Sequence, residues 1–512
     1  MRPRVSLATA LIAGILATMN VTRSAVSAGA TGRPADAAVQ VRESTLTLPT
    51  YEEDLPDVNP RFDLFARRPF LIYPYTARTN LTDRRAERTW RTLVLENEHL
   101  RLTVLPDLGG RIYSCVDKAN GAEMFYANTS IKYADVAYRG AWVALGVEFN
   151  FPVSHNWVTV SPVDYGIVRH PDGSASVWVG NIDRPYGMQW RVELRLRPGC
   201  SLLEQTTTLY NRSDVRHRFY WWTAANVRAD GDSQIIYPME FSAAHHFADV
   251  DTWPVDASGA DLRYPRNHTA GYVARFAHGT REPFLGVYRP STDAGMVHVA
   301  DHHEMPGKKI WSWGWDDEAR DWRRALSDDL SAYLEPQAGL FRNQETYAFL
   351  DPHQLLRFRE TWQPVRRIGG FSRASDEGVV HLRRGEGQAL RVGLNVTRPV
   401  HGGRVVVRDG TRTVREEALS LEPSGAFDRT YSDLAAPGPY AVERSCCEPA
   451  ISACMRLRSA SNCACCSASR ASLSASLRCS SPILSIASSS ANARSVAAAL
   501  PVPARAYLVF LA

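Results

Sequence analysis

The chain has 512 residues, with 59 Lys and Arg against 54 Asp and Glu, for a formal net charge of +5. This length can bury a large core. The charge is unevenly distributed: residues 29–445 alone carry 50 basic and 53 acidic side chains, which argues against nucleic-acid binding, because that requires a basic surface.

The start of the chain, residues 1–28, has the pattern of a secretory signal peptide. Arg2 and Arg4 precede an apolar run over residues 7–19 that is too short to span a bilayer, and small residues at 26–28 offer a cleavage site. An uncleaved anchor is the alternative. We therefore expect an exported, soluble mature protein, periplasmic or extracellular, without a membrane span after cleavage.

The central part of the chain predicts strands almost throughout. Residues 91–95 and 100–105 alternate around Asn97-Glu98, the pattern of a hairpin, and similar short strands continue between residues 158 and 223. Helical patterning is scarce, with Asp317–Leu326 a weak candidate that a loop fits equally well. We predict an all-β fold, a large antiparallel sandwich over residues 91–375, because strands follow one another without intervening helices.

Two further units flank this sandwich. Residues 40–90 are expected to form an N-terminal extension that packs on the core. A composition shift near Ser375 begins a small β-sandwich-like unit over residues 376–445, which we interpret as truncated. Only Cys115 and Cys200 lie in this main part of the chain, so any disulfide is single and optional.

The last segment, residues 446–512, differs sharply in composition from the rest. It holds 7 of the 9 Cys, and its 6 Arg against one Glu equal the net charge of the whole chain. It has no helical or strand period and no zinc-site spacing. A disordered tail, a disulfide cluster, a metal-binding tract and translation in a wrong reading frame are the four explanations. We favour the last, because the break at Cys446 is abrupt.

The strongest chemical signal lies at residues 332–344. A strand there would point Tyr333, Glu335 and Gln337 to one side, and Asn343 follows closely. Carboxylate and amide groups together can accept from and donate to neighbouring hydroxyls. This segment therefore predicts a site for a polyhydroxylated ligand, although a solvated rim position is the structural alternative for Glu335.

An aromatic segment precedes that motif. Trp311 and Trp313 alternate with small residues, which on a strand makes a one-sided platform of the kind that binds sugars, unless both Trp belong to the core. The adjacent donors in His245-His246 and in residues 301–304 face opposite ways on a strand and cannot share an ion. We therefore predict a saccharide ligand and no metal or cofactor.

These motifs resemble a known superfamily. The segment Val94–Ile112, with its Gly109-Gly110-Arg111 turn, is similar to the first hairpin of galactose-mutarotase-like proteins, and Leu334–Gln337 resembles their late Glu-x-Gln motif. Residues 146–155, 311–314 and 360–364 resemble an uncharacterised branch of secreted bacterial proteins in which tetratricopeptide repeats often follow the β domain. The resemblance covers about residues 70–440 and implies a β-supersandwich.

The resemblance also implies roles for particular residues. Glu335 matches the catalytic base of aldose epimerases, and His155 matches one of their two His; the other is missing from the segment Trp221–Ala224. A structural His that bonds a loop carbonyl is the alternative for His155. Missing repeats would supply protein partners. The matched motifs further identify these candidate ligand contacts: Arg111, Asn150 and Trp362.

Three function classes remain open. A glycoside hydrolase needs two carboxyl groups, and Glu335, Glu148 and Glu360 are candidates because each lies in apolar sequence that favours its protonated form. Glu148 and Glu360 have a structural alternative as buried partners of Arg. An aldose epimerase would need only Glu335 and His155. A non-catalytic carbohydrate-binding or scaffold protein is the third class. The sequence alone thus does not decide whether the chain is an enzyme, and we rank the hydrolase first among the three classes.

The Trp pair makes a direct prediction. If Trp311 and Trp313 line the ligand cleft, Trp313→Ala should weaken saccharide binding, because stacking contributes about 0.5–1.5 kcal/mol per contact. Isothermal titration with saccharides measures the effect. Unchanged binding in Trp311→Ala and in Trp313→Ala would contradict the prediction.

Overall fold

The computed structural model describes residues 38–58, 72–385, 389–409, 412–432, 440–445 and 457–458. The expected signal peptide and nearly all of the atypical tail lie outside these residues. Within them the protein is built from strands, as predicted. The strands are β1 Gln40–Glu53, β2 Leu81–Glu96, β3 Leu100–Leu105, β4 Arg111–Asp117, β5 Ala122–Glu123, β6 Ala134–Ala137, β7 Gly140–Trp142, β8 Val147–Asn150, β9 Asp164–Arg169, β10 Ala175–Ile182, β11 Met188–Leu196, β12 Leu203–Asn211, β13 His217–Phe219, β14 Trp222–Ala225, β15 Val227–Ala229, β16 Gln234–Ile236, β17 Phe241–Ala243, β18 Asp251–Thr252, β19 Val273–His278, β20 Phe284–Arg289, β21 Ala294–Ala300, β22 Gly307–Ser312, β23 Ala332–Gly339, β24 Ala348–Leu350, β25 Leu355–Arg366, β26 Arg373–Ser375, β27 Gly378–Arg384, β28 Leu390–Val396, β29 Val400–Asp409, β30 Arg412–Leu421, β31 Phe427–Tyr431, β32 Tyr440–Ser445 and β33 Leu457–Arg458.

Helices are few in the described part of the chain. The helix α1, Asp317–Leu326, forms where the sequence offered a weak candidate, and Asp316 caps it by accepting from the Ala319 amide. Single 3-10 turns cover His245–Phe247, Pro265–Asn267 and Pro290–Thr292. None of the described helices is long and apolar enough to cross a membrane.

Two large antiparallel sheets carry the fold. The first runs β1-β2-β3-β4-β8-β14-β23-β22-β19-β17-β18, with β15 on β23 and β5 on β4, and the second runs β16-β20-β21-β25-β12-β11-β10-β9. Their facing sides share one apolar core, to which β8 gives Phe149, β22 gives Ile310, β11 gives Trp190 and β25 gives Trp362. The all-β supersandwich predicted from the sequence is confirmed.

Strand β23 lies in the middle of the first sheet. It pairs with β22 on one side and with both β14 and β15 on the other. The ladder with β14 ends at Gln337 and the ladder with β15 begins at Leu334. Pro336 therefore falls opposite the break between two partner strands, which is where a residue without an N–H is tolerated.

One expected strand is replaced by a turn. The sequence predicted a strand from Val158 to Val168, but residues 157–161 form turns and β9 begins only at Asp164. The amide of Thr159 donates to the carbonyl of Asn156, and the Asn156 side chain accepts from the Val158 amide. These local bonds compete with a strand ladder.

The region after β25 forms smaller sheets with a core of their own. Strands β26-β27-β28-β31 make one sheet and β30-β29-β32-β33 another, and their apolar side chains, such as Val392 and Val405, form a separate cluster. Arg366, at the end of β25, connects the two regions: its buried guanidinium donates to Asp117 and to the carbonyl of Pro423.

Close packing at β23 gives a testable consequence. A Cβ on Gly339 would lie 2.3 Å from the Trp222 indole, whereas a Cβ on Gly231 would have no atom nearer than 3.4 Å. Gly339→Ala should therefore lower the free energy of unfolding by about 1–3 kcal/mol, since overpacking a core forces its neighbours to shift.

Urea denaturation measures this effect, and Gly231→Ala is the control, expected to change stability by well under 1 kcal/mol. Equal stability of the two variants would contradict the placement of Trp222 against β23.

Candidate functional site

The first sheet has a second face, opposite the shared core, and polar residues gather on it. Directly paired residues of antiparallel strands lie on the same face. Glu148 pairs with Ala224, Ala224 with Gln337, and Gln337 with Lys309. We call this the carboxylate face. Because side chains alternate along β23, Tyr333 and Glu335 also lie on it with Gln337, as the sequence predicted.

Glycine brings β8 close to β4 at this face. A Cβ on Gly146 would lie 1.6 Å from the carbonyl oxygen of Ile112, and the residue has a positive φ of +52°. Only glycine accommodates both the contact and that backbone conformation. The close approach places Glu148 beside Arg111, the residue before Ile112.

Glu148 and Arg111 form a fully buried ion pair. Arg111 Nη2 lies 3.3 Å from Glu148 Oε1 and donates to Thr159 Oγ1 at 2.7 Å. Thr159, placed by the turn described above, in turn donates to Glu148. The other carboxylate oxygen accepts from Trp142 Nε1 at 3.0 Å. Both Glu148 oxygens therefore have donors.

These contacts decide the charge of Glu148. Burial alone would raise its pKa, but the Arg111 guanidinium, His155 and the hydrogen bond from Thr159 together hold the pKa well below the usual glutamate range. Glu148 is therefore an ionised side chain with a structural and orienting role, which matches the alternative of a buried Glu paired with Arg.

His155 connects this pair to the surface. Its Nδ1 lies 3.0 Å from Glu148 Oε2, and its side chain is 24% exposed, while Glu148 is 3% exposed. The ring also lies 5.4 Å from that of Trp142. A carboxylate that holds Nδ1 fixes the orientation of the ring and leaves Nε2 for another partner.

A chain of side chains joins Glu335 to a buried lysine. Gln337 Nε2 donates to Glu335 Oε2 at 2.8 Å, Gln344 Nε2 donates to Gln337 Oε1 at 3.0 Å, and Lys309 Nζ donates to Gln344 Oε1 at 2.6 Å. In each glutamine the amide oxygen accepts and the amide nitrogen donates. Because the Lys309 ammonium can only donate, it sets the donor-to-acceptor direction of all three hydrogen bonds.

Glu335 and Lys309 have opposite pKa shifts from the same cause. Burial raises the pKa of Glu335, an effect that Glu148 increases and that Lys309 and His155 oppose. Burial likewise lowers the pKa of Lys309 to about 8. Of the two carboxyl groups on this face, Glu335 thus keeps its proton to a higher pH than Glu148 does.

The two predicted platform tryptophans lie beside the site but are packed by other rings. Trp311 stacks on Tyr272 at 4.8 Å, and Trp313 stacks on Trp322 at 4.1 Å and donates to the Tyr333 hydroxyl. Each Trp is 7% exposed. Contact with a ligand stays a prediction for both, and truncation of Trp313 would also remove core packing of about 3–5 kcal/mol.

The other candidates have structural partners of their own. Glu360 is buried between the two sheets, where it accepts from Gln205 and Thr223 and contacts His298 at 2.9 Å. Trp362 lies in the shared core and donates to Gln205. Asn343 caps a turn by accepting from the amides of Glu345 and Thr346, and Asn150 accepts from the Asn156 amide.

The sequence did not single out Lys309 or Tyr220 for this site. Lys309 had a signal, since the chain uses only 4 Lys beside 55 Arg and this one lies in an apolar strand. Its place next to Glu335 depends on the register of β22 and β23. Among the described residues, no group of three or more His, Cys, Asp or Glu could hold a metal ion.

Several solved structures are similar to this chain. A TPR-domain containing protein from Parabacteroides distasonis is 28% identical, with a TM-score of 0.58; the match covers 64% of this chain and 56% of that protein. A galactose mutarotase-like protein from Lactobacillus casei is 11% identical, with a TM-score of 0.39, over 53% of this chain and 99% of that protein. The one from Clostridium acetobutylicum is also 11% identical, with a TM-score of 0.39, over 54% and 96%.

The matches include galactose mutarotase-like proteins and a TPR-domain containing protein, the two kinds of protein that the sequence motifs resemble. The chain spans little more than half the length of the Parabacteroides protein. A family model described as Domain of unknown function (DUF5107) matches residues 68–358, and one described as YphG-like protein, second domain, matches residues 373–441. The chain belongs to the DUF5107 family.

The two carboxylates should affect stability with opposite dependence on pH. The folded-state pKa of Glu335 lies above the ordinary value of 4.5, so its ionisation disfavours folding as pH rises through and above 4.5. The folded-state pKa of Glu148 lies below 4.5, so its stabilising effect is complete above that value and is lost as pH falls.

Urea denaturation between about pH 3 and about pH 8 tests both signs. The stability of the wild type relative to Glu335→Gln should fall with rising pH, and relative to Glu148→Gln it should fall with decreasing pH. Glu318→Gln, on the exposed side of α1, is the control with no such trend. Parallel curves for the two site variants would contradict the assignment.

Proposed function

We propose that the carboxylate face binds a saccharide and that Glu335 transfers a proton in an epimerase-like reaction on it. The observation that carries this proposal is the asymmetry of the two carboxylates: Glu148 is held ionised by Arg111, whereas the pKa of Glu335 is raised. The fixed anion orients His155 as the acid, and the titratable carboxyl group supplies the base, so that ring opening has both.

The groups around Glu335 suit a sugar. Gln337 and Gln344 present amides, His155 a ring nitrogen and Tyr220 a hydroxyl, so the face carries both donors and acceptors. The Trp311 ring borders these polar groups, with Lys309 Nζ 4.9 Å from its centre. Such a mixture binds hydroxyls by hydrogen bonds and ring C–H surfaces by apolar contact.

In this reaction Glu335 and His155 each transfer one proton. Glu335, in its ionised form, takes the proton from the anomeric hydroxyl, and His155 gives a proton to the ring oxygen through Nε2. The bond between the anomeric carbon and the ring oxygen then breaks, leaving an open-chain aldehyde. Rotation and closure by the reverse steps give the other anomer. Glu148 keeps the His155 ring in place.

Hydrolysis of a glycosidic bond fits this arrangement less well. It requires a second carboxyl group that faces the same bond, but Glu148 has donors on both oxygens and Glu360 lies between the sheets. Binding without catalysis is the remaining class, and it needs the same contacts without a titratable Glu335. A single variant separates these possibilities.

Glu335→Gln should lower turnover by about 10²–10⁴-fold, the usual scale for removing a general acid or base, because glutamine keeps the shape but cannot accept the proton. Saccharide affinity should change far less. Polarimetry of freshly dissolved α-galactose and α-glucose measures turnover, release of an aryl group from aryl glycosides measures hydrolysis, and calorimetry measures binding.

Glu318→Gln is the matched control, an exposed Glu outside the site. Full mutarotation by Glu335→Gln would show that the base lies elsewhere. Activity of the wild type on aryl glycosides alone would favour the hydrolase, and binding without either activity would favour the non-catalytic class.

A further inference from the structure

A short antiparallel ribbon beside the carboxylate face carries alternating arginines and aromatic rings. Strand β13 pairs with β24, with Arg218 opposite Phe349. The Arg216 guanidinium lies 4.7 Å from the centre of the Phe349 ring, and that of Arg218 lies 5.6 Å from the Tyr347 ring. The two aromatic rings contact each other edge-to-face at 5.8 Å.

This surface is open to solvent. Tyr347 is 50% exposed and Phe349 46% exposed. Arg216 has a carboxylate partner in Asp351 at 3.1 Å, but both side chains are about two-thirds exposed, so the pair is weak. For Arg218 the described residues show the Tyr347 ring as a partner and no carboxylate within ion-pair distance. Exposed aromatic rings beside free positive charge mark a binding surface.

The ribbon leads into the carboxylate face through Tyr220. Trp221 turns into the shared core, where it packs on Phe358 at 5.5 Å, so Tyr220 points the other way. Burial raises the pKa of the Tyr220 hydroxyl, while Ser154 and Gln344 lie close enough to oppose that rise, and Glu148 adds to it. The hydroxyl is buried, with Ser154 and Gln344 as its polar neighbours.

The length of this path exceeds one sugar ring. Tyr220 follows Arg216 by four residue steps of extended chain, which is about 13 Å. Tyr138 lies near both Arg218 and Tyr220. A ligand that reaches from Gln344 to the Phe349 ring must therefore be a chain of linked units.

We propose that the β13–β24 ribbon holds the continuation of an anionic oligosaccharide whose end unit occupies the carboxylate face. This rests on the proposed saccharide function of that face. The aromatic rings stack on sugar faces, and the guanidinium groups pair with carboxylate or sulfate groups on the chain. Nucleic acid is disfavoured by the near-neutral charge of residues 29–445, and continuity with the Tyr220 hydroxyl favours a glycan over a protein partner.

Calorimetry with the full chain tests the proposal with defined probes. An oligogalacturonate supplies carboxylates, a carrageenan oligosaccharide supplies sulfates, a cellooligosaccharide is neutral, and galacturonate and galactose are single units. The anionic oligosaccharide of the matching chemistry should bind, and Arg218→Gln should weaken it about 10-fold or more, since a hydrogen bond to a charged group is lost. Tyr347→Ala should weaken it as well, and added salt should reduce affinity.

Arg212→Gln, an exposed arginine just after β12, is the matched control and should leave binding unchanged. Single-unit binding should be the same in Arg218→Gln and wild type, so galactose and galacturonate report on the carboxylate face alone. The proposal is overturned if no anionic oligosaccharide binds, if the neutral one binds equally well, or if Arg218→Gln and Tyr347→Ala both bind like the wild type. If Glu335→Gln loses turnover but Arg218→Gln binds the anionic oligosaccharide like the wild type, the ribbon proposal is overturned and the proposed function stands.

Discussion

The buried ion pair between Arg111 and Glu148 is the interaction on which the rest of the site depends. It joins β4 to β8 across the close contact that Gly146 permits, and it draws Thr159, Trp142 and His155 onto one carboxylate. A buried pair of this kind is weak as a source of net stability, but loss of one partner leaves a buried charge at a cost of about 3–5 kcal/mol. Its main effect is to fix one ionised group and the ring that it orients.

Burial, with a smaller contribution from that fixed charge, gives the second carboxylate its chemical character. Glu335 lies on the same sheet face, is buried, and has the negative charge of Glu148 nearby, so its proton is held more firmly. The amide chain to Lys309 supplies the opposing positive charge at a distance. The two glutamates of this face thus differ in role because Glu148 contacts the Arg111 guanidinium, whereas Glu335 contacts the Gln337 amide.

The sequence predicted what depends on strand periodicity and missed what depends on register. Alternation was sufficient to place Tyr333, Glu335 and Gln337 on one face, but periodicity alone cannot say which sheet a residue joins, so Glu360 remained a second candidate after Glu335. Lys309 reaches Gln344 only because β22 pairs with β23 in one register. The turn that places Thr159 beside Glu148 lies where the apolar pattern predicts a strand. That pattern does not show the local hydrogen bonds that form the turn instead.

The most direct test of this account is a carboxyl-carbon NMR titration of protein labelled at the glutamate side chains, with Glu148→Gln and Glu335→Gln to assign the two signals. The account predicts that the Glu335 signal titrates above the ordinary glutamate value of 4.5 and that the Glu148 signal stays ionised well below it. Titration of both signals at the ordinary value, or in the reverse order, would contradict the asymmetry from which the proposed function follows.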